Sequence, residues 1–430
     1  MKRLFTFILT LTMAFSFCVN SFAAAATTTT ATETTAATAA TTEASADTSS
    51  TQTTGASYGT SKLSGAPDIV AESAVVMDAG TGTVLYGKEA STKRYPASIT
   101  KVMTALLAVE NCNMSDIITY SNAAVNGIEA GSSTAGINVG AKLTVEDSLY
   151  ALMLVSANEA AAAIAEHISG STTEFAKLMT KRAKELGCKN TQFKNPHGLP
   201  DEEHYTTAYD MGLILKEAMK HPEFRKIAGT ISYTLKKSDS LTDTLELWNH
   251  AKILRQNSDY YYEYAKGAKT GFTQVALNTL VTYAKKDNVE LICVILKDHG
   301  ADKSYTDTAN LFKWAFNQVK AVTPLTNFSL KTAMTENSSI DSAKLDQIQL
   351  LNSSYDTNFS VLVKKDFDES TLKTAFKLDE DKKTGRLGYI IISCDDKELG
   401  RTEVTYDITC KQGKAYLEGK TLDDNPKTAP

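Results

Sequence analysis

The sequence predicts a mixed α/β chain of the α+β kind: an antiparallel sheet flanked by helices, with an inserted helical subdomain, followed by a small β-rich domain. Three observations predict it. β-prone runs open and close the stretch between residues 66 and 321, and an Ala-rich helical text separates them. After Pro324 the pattern changes to short β-prone segments such as 359–363 and 387–392, which places a separate domain over residues 322–430.

Taken in chain order, Lys2 and Arg3 precede an apolar run over residues 4–19 and the small residues Ala23 to Ala26, so residues 1–25 read as a secretory signal. The run is short for a membrane span, which wants about 20 apolar residues. Phe17 before Cys18 is too large for a lipoprotein cleavage box. From residue 24 to 57 the text is almost only Ala, Thr and Ser, with Glu33, Glu43 and Asp47 as its charges, and residues 26–65 read as an unfolded tether. Ala74-Val75-Val76-Met77 and Val84-Leu85-Tyr86 flank the turn-rich stretch 78–82 and predict a hairpin. Val102, Met103, Leu106, Leu107 and Val109 follow helical spacing, so a helix over about 98–109 carries Ser98 in its first turn. Helices dominate 144–219, interrupted at Ser156-Ala157-Asn158. Strands return at 267–272, 276–284 and 289–296, the last two joined by a turn at 285–288, and a helix over about 306–319 closes the unit.

With 45 basic and 50 acidic side chains, a net charge of −5 and no long Lys/Arg block, the chain has no footprint for nucleic acid. Removal of the signal would leave five cysteines, an odd number that cannot all pair, and Cys293 sits in an apolar run as a buried thiol. The six histidines are scattered, His197 and His204 included, and predict loop packing, not a metal site. No Gly-rich phosphate loop follows a strand, so no cofactor is expected. Residues 411–430 show no amphipathic period strong enough for a membrane anchor.

Three short motifs carry chemistry. In Ser98-Ile99-Thr100-Lys101 the i, i+3 spacing sets an amine beside a hydroxyl. Serine is a weak nucleophile until a base takes its proton, and lysine is that base only with its pKa lowered by burial or a second cation. In Ser156-Ala157-Asn158 one hydroxyl can relay a proton and one amide can hold a substrate carbonyl; helix capping is the plainer role for both. In Lys269-Thr270-Gly271, on a strand, Lys and Thr offer donors for an anion while Gly271 admits a close backbone approach. Each motif alone is weak; their order and contexts together match those of penicillin-recognising serine enzymes.

On these residues, and on the blocks 73–82, 96–104, 197–199 and 204–211, the chain resembles the low-molecular-mass penicillin-binding proteins, serine-type D-alanyl-D-alanine carboxypeptidases of peptidoglycan maturation. The likeness spans about residues 66–318 and implies the penicillin-binding transpeptidase/β-lactamase-like fold, with a second domain such as many members carry. It implies Ser98 as the nucleophile, Lys101 as its base and Ser156 as a proton relay. It also implies Asn158 holding the peptide, Lys269 and Thr270 binding the terminal carboxylate, and the N–H groups of Ser98 and Phe272 forming an oxyanion hole beside Gly271. The partners it implies are peptidoglycan stem peptides, with β-lactams as covalent inhibitors, at an extracytoplasmic, wall-associated location. Ala157 stands where the family commonly has Gly or Asp, and Phe272 where it frequently has His. Neither removes a required functional group. Two rivals stand beside this reading: a β-lactamase, which shares all three motifs but needs an efficient deacylating base and for which no Glu-x-x-Leu-Asn string is found between Asn158 and Lys269, and a non-catalytic wall-binding or adhesion protein with the Ala/Thr/Ser tether as its stalk.

Overall fold

The computed structural model describes residues 63–237, 241–420 and 422. The expected signal and tether lie outside the described residues, apart from the last few positions before residue 66.

A five-stranded antiparallel sheet is built from β1 (Ser73–Asp78), β2 (Val84–Lys88), β3 (Ala265–Thr273), β4 (Leu277–Lys286) and β5 (Val289–Asp298), in the order β2-β1-β5-β4-β3. The β1–β2 hairpin closes because the Asp78 carboxylate accepts hydrogen bonds from the N–H groups of Gly80 (3.1 Å) and Thr81 (3.2 Å) and from Thr81 Oγ1 (2.6 Å). Both faces of the sheet are covered, which explains the unbroken apolar run of β5. Its residues Ile292, Val294 and Leu296 join one core, and Leu291, Cys293 and Ile295 join the other.

On the first face lie α1 (Lys101–Asn111), α2 (Val145–Leu154), α3 (Asn158–Ser169), α4 (Thr172–Glu185) and α5 (Ala208–Ala218). α2 starts on a capping box between Thr144 and Asp147, and α3 ends at Gly170, whose φ of 74° is the left-handed conformation glycine adopts without penalty. The alanines from Ala160 to Ala163 and Ala165 are buried, so α3 packs closely among its neighbours. On the second face α6 (Ala301–Gln318) packs Leu311, Phe312 and Ala315 against the sheet. This helix begins five residues before the expected start; Asp302 and Lys303 in its first turn are exposed and carry no apolar period to mark it.

Beyond α6, β6 (Val319–Val322) pairs with β7 (Val361–Lys364). A further sheet contains β8 (Lys373–Asp381), β9 (Arg386–Cys394) and β10 (Lys397–Tyr406), around a core that includes Val363, Ile390, Ile392 and Val404. Short helices at Leu330–Thr335, Ser342–Gln349 and Lys411–Leu417 accompany the strands of this β-rich region. Among the described residues no helix is long and apolar enough to cross a membrane, and the five cysteines there are free.

Candidate active site

Ser98 stands in a 3-10 turn, Ala97–Thr100, that runs directly into α1 at Lys101. The expected α-helical first turn is therefore a tighter one, in which residues three apart nearly eclipse. Lys101 Nζ lies 3.2 Å from Ser98 Oγ. Ala97 has φ 51°, an uncommon conformation for a residue with a Cβ, and its neighbours hold it there. Thr279 Oγ1 on β4 donates to Pro96 O (2.9 Å). Gly198, at φ 93°, passes so close that a Cβ would sit 1.9 Å from Ala97 O. His204 receives the Lys194 N–H at Nδ1 (3.2 Å), which puts its proton on Nε2 for donation to Thr100 Oγ1 at 2.9 Å. Burial holds this ring neutral, with its pKa pushed down to about 4.

Lys101 is fully buried, and its amine also donates to Asn158 Oδ1 and to His197 O, each at 2.7 Å. Its pKa lies well below the usual lysine range, because burial penalises the ammonium and the cation of Lys269 repels it, against a smaller opposing pull from Glu159. A neutral amine has two N–H bonds. In that form the two carbonyl oxygens would take both, leaving the lone pair for Ser98 Oγ.

Ser156, between α2 and α3, has φ 64° and a buried Oγ with no hydrogen-bond partner among the described residues. Asn158 is not in a loop but opens α3, and neither it nor Ser156 caps a helix: the cap position is Ala157, without a side-chain bond. The Asn158 amide oxygen goes to Lys101 instead, while its backbone N–H donates to Ser133 O (2.9 Å).

β3 forms the edge of the sheet beside the Ser98 turn. Lys269 is buried, donates to Thr270 O at 2.9 Å, and has its pKa lowered to about 7 by that burial. A Cβ on Gly271 would lie 2.4 Å from Thr279 Oγ1 and 2.8 Å from Ser98 N. Gly271 thus permits a close approach between β3 and the nucleophile turn, and it also lines the cleft where the sequence suggested an approach of substrate. Phe272 is 55% exposed at the rim.

Ser98, Ser156, Asn158, Thr270, Gly271 and Phe272 line one cleft of about 360 Å³. Lys101 and Lys269 stand behind that surface, 0% and 1% exposed. The three motifs, spread over 173 positions from Ser98 to Gly271, therefore converge. Sequence reasoning missed other members. His250 and Tyr305 line the cleft without any local signal. Glu159 is buried and accepts from Thr134 Oγ1 (2.6 Å) and from the N–H groups of Ala135 (2.7 Å) and Gly136 (3.1 Å), which ties the 133–137 loop to α3. A carboxylate inside an otherwise alanine face was its available signal. Away from the cleft, Glu110, Glu217 and His221 cluster, but Arg182 already bonds Glu110 at 2.6 Å and pairs with Glu217 at 3.5 Å, supplying the positive charge there.

A family model described as D-alanyl-D-alanine carboxypeptidase matches residues 60–300. The D-alanyl-D-alanine carboxypeptidase DacF of Bacillus subtilis (strain 168) is 33% identical over 346 residues, 78% of this chain and 84% of that protein. The solved Streptomyces K15 DD-transpeptidase is 31% identical over 59% of this chain and 99% of its own, with a TM-score of 0.55. Penicillin binding protein 6B from Escherichia coli, 23% identical, matches in fold over 79% of this chain and 96% of its own, at a TM-score of 0.60. The matched region holds the Ser98 turn, the Ser156 junction and β3, and with that coverage the chain belongs to the D-alanyl-D-alanine carboxypeptidase family.

Proposed function

We propose that the protein acts outside the cytoplasm, associated with the cell wall, as a serine-type D-alanyl-D-alanine carboxypeptidase that removes the terminal D-alanine from peptidoglycan stem pentapeptides. The observation that carries this reading is the fully buried Lys101 amine, 3.2 Å from Ser98 Oγ, bonded to two carbonyl oxygens and with its pKa held well below the usual lysine range.

In this reading Lys101 Nζ takes the Ser98 proton as Oγ bonds to the carbonyl carbon of the penultimate D-alanine. The backbone N–H groups of Ser98 and Phe272 receive the oxyanion. Ser156, whose hydroxyl has no competing partner, passes the proton from Lys101 to the leaving amine as the C–N bond breaks. Lys269 and Thr270 receive the terminal carboxylate, and Asn158 holds the peptide. Water then adds to the ester, giving its proton back through Lys101, and Ser98 is released as the carboxylate product leaves. β-Lactams stop at the ester stage.

Fluorescent penicillin tests this directly: one adduct is expected on Ser98, and Ser98→Ala should abolish labelling together with D-alanine release from a stem pentapeptide. An adduct mapped to another residue, or D-alanine release by Ser98→Ala at the wild-type rate, would overturn the assignment. Rapid turnover of nitrocefin would instead favour the β-lactamase alternative.

A further inference from the structure

Beside the catalytic cleft lies a second groove, of about 660 Å³ against the cleft's 360 Å³. One wall is α6, along which the lining runs from Tyr305 to Asn317, about 18 Å at the helical rise of 1.5 Å per residue. The other wall is the segment Tyr260-Tyr261-Tyr262-Glu263-Tyr264, just before β3. Tyr262 is buried, stacks on Phe312 with ring centroids 5.9 Å apart, and donates its N–H to Ile253 O at 3.0 Å, which fixes the segment. Its neighbours then face outward: Tyr261 is 39% exposed, and Tyr260 and Tyr264 are half-buried. Tyr260 stacks on Tyr305 at 5.5 Å and Tyr264 lies against Phe316 at 6.0 Å, with the ammonium groups of Lys252 and Lys286 5.3 and 5.0 Å from the Tyr260 and Tyr264 ring centroids, which leaves Tyr261 as the most exposed ring of the three. Asn310 and Asn317, exposed on α6, supply amides along the rim.

Phenol rings flanked by amides, with charges of both signs at Asp259, Glu263, Lys286 and Lys313, suit one ligand chemistry better than others. A sugar ring has an apolar C–H face that stacks on an aromatic ring and an equatorial edge of hydroxyl and amide groups that bond to Asn side chains. The groove is also continuous with the chemistry, because Tyr305 lines both it and the catalytic cleft.

We propose that the Tyr260–Tyr264 groove is a second binding site that takes the glycan strand of peptidoglycan, holding the polymer while a stem peptide occupies the Ser98 cleft. This rests on the reading that peptidoglycan is the substrate, and adds a site for its saccharide part. The groove makes D-alanine release from the polymer faster than release from the free peptide at equal stem concentration.

The test uses two exposed positions, Tyr261→Ala and Asn310→Ala, each checked for an unchanged melting temperature, and three probes: peptide-free glycan strands, free stem pentapeptide and intact sacculi. Wild-type protein is expected to bind peptide-free glycan strands in sedimentation or calorimetry, with each variant weakening that binding about five-fold or more. D-alanine release from sacculi should fall by a similar factor, while kcat/KM on the free pentapeptide stays within about two-fold. No binding of wild type to the strands, unchanged binding by both variants, or an equal loss on the free peptide would overturn the proposal. Saturable binding of the free stem peptide in the groove, lost in Tyr261→Ala, would reassign it to peptide and overturn the glycan. Variant-sensitive glycan binding without D-alanine release from either substrate would leave the groove standing and sink the carboxypeptidase reading.

Discussion

Around Ser98 two lysines are wholly buried, and the acceptors of their amines are carbonyl oxygens: Asn158 Oδ1 and His197 O for Lys101, Thr270 O for Lys269. In and beside the C-terminal sheet the cations stay partly in water and pair with carboxylates, Lys344 of a flanking helix with Glu380, Arg386 with Asp379 and Arg401 with Glu398. A carboxylate partner would stabilise the ammonium; a carbonyl in a dry site stabilises it less, and burial wins. The first arrangement therefore produces a base, and the second produces surface pairs worth little stability each.

The sharpest way to break this contrast is to restore a permanent charge. A guanidinium stays protonated, so Lys101→Arg should lower the rate of penicillin acylation by about four powers of ten. Because the Lys101 pKa is depressed, the wild-type rate should rise with pH through that lowered value, as the free amine forms. Arg386→Lys in the C-terminal sheet should leave acylation unchanged. Acylation by Lys101→Arg near the wild-type rate, followed by stopped-flow fluorescence, would remove Lys101 as the base.

A second pair of variants compares how each region uses glycine. A Cβ at Gly271 would meet Thr279 Oγ1 and Ser98 N, so Gly271→Ala should push β3 off the nucleophile turn at about 1–3 kcal/mol and cut acylation ten- to a hundred-fold. A Cβ at Gly388 would lie 2.2 Å from Lys377 O between β9 and β8, a clash as severe. Gly388→Ala should lower the melting temperature yet keep kcat/KM within about two-fold. Equal kinetic losses in the two would mean that the C-terminal sheet supports the cleft.

A third test stays within the cleft and separates charge recognition from general positioning. Charge-assisted hydrogen bonds contribute roughly 1.5–3 kcal/mol, so Thr270→Val should lower kcat/KM for a free D-Ala-D-Ala end by one to two powers of ten. The loss should be much smaller on an amidated end, which has no charge to recognise. Similar losses on both would withdraw the carboxylate role from Thr270.

What the sequence disclosed and what it hid divide along the same physical line. Ser98 and Lys101 are legible because three positions of helical turn bring them together, and β5 is legible as an apolar run because both its faces are covered. The acceptor at His197 is a backbone carbonyl 96 positions from Lys101, and every residue has a carbonyl, so nothing in the text marks it. The left-handed backbone of Ser156 is equally silent, since serine gives no hint of a positive φ. His250, Tyr305 and the tyrosine groove depend on how α6 and the segment before β3 approach each other, a tertiary fact. The short C-terminal helices escaped because six to eight residues carry too little apolar period to register.

The smallest expected effect concerns acid. All six histidines precede residue 300, so the C-terminal sheet has none, while the Ser98 turn leans on His204. That ring titrates near 4 in the fold against about 6.5 when unfolded. A folded pKa below the unfolded one means that the unfolded chain binds the extra proton first. The stabilisation is complete above pH 6.5 and is lost progressively as pH falls towards 4. At pH 5.5 the loss is on the order of 1 kcal/mol, a few degrees in melting temperature for a unit of this size. His204→Gln keeps a donor for Thr100 and an acceptor for Lys194 but cannot titrate. Its melting temperature should therefore fall less than the wild type's between pH 7 and 5.5. His197, whose pKa the His204 charge helps to lower, is pushed down to about 3, below this window, so the difference between the two slopes reports His204. Identical slopes by calorimetry would mean that His204 does not stay neutral in the fold, and the acid sensitivity of the nucleophile turn would have to come from elsewhere.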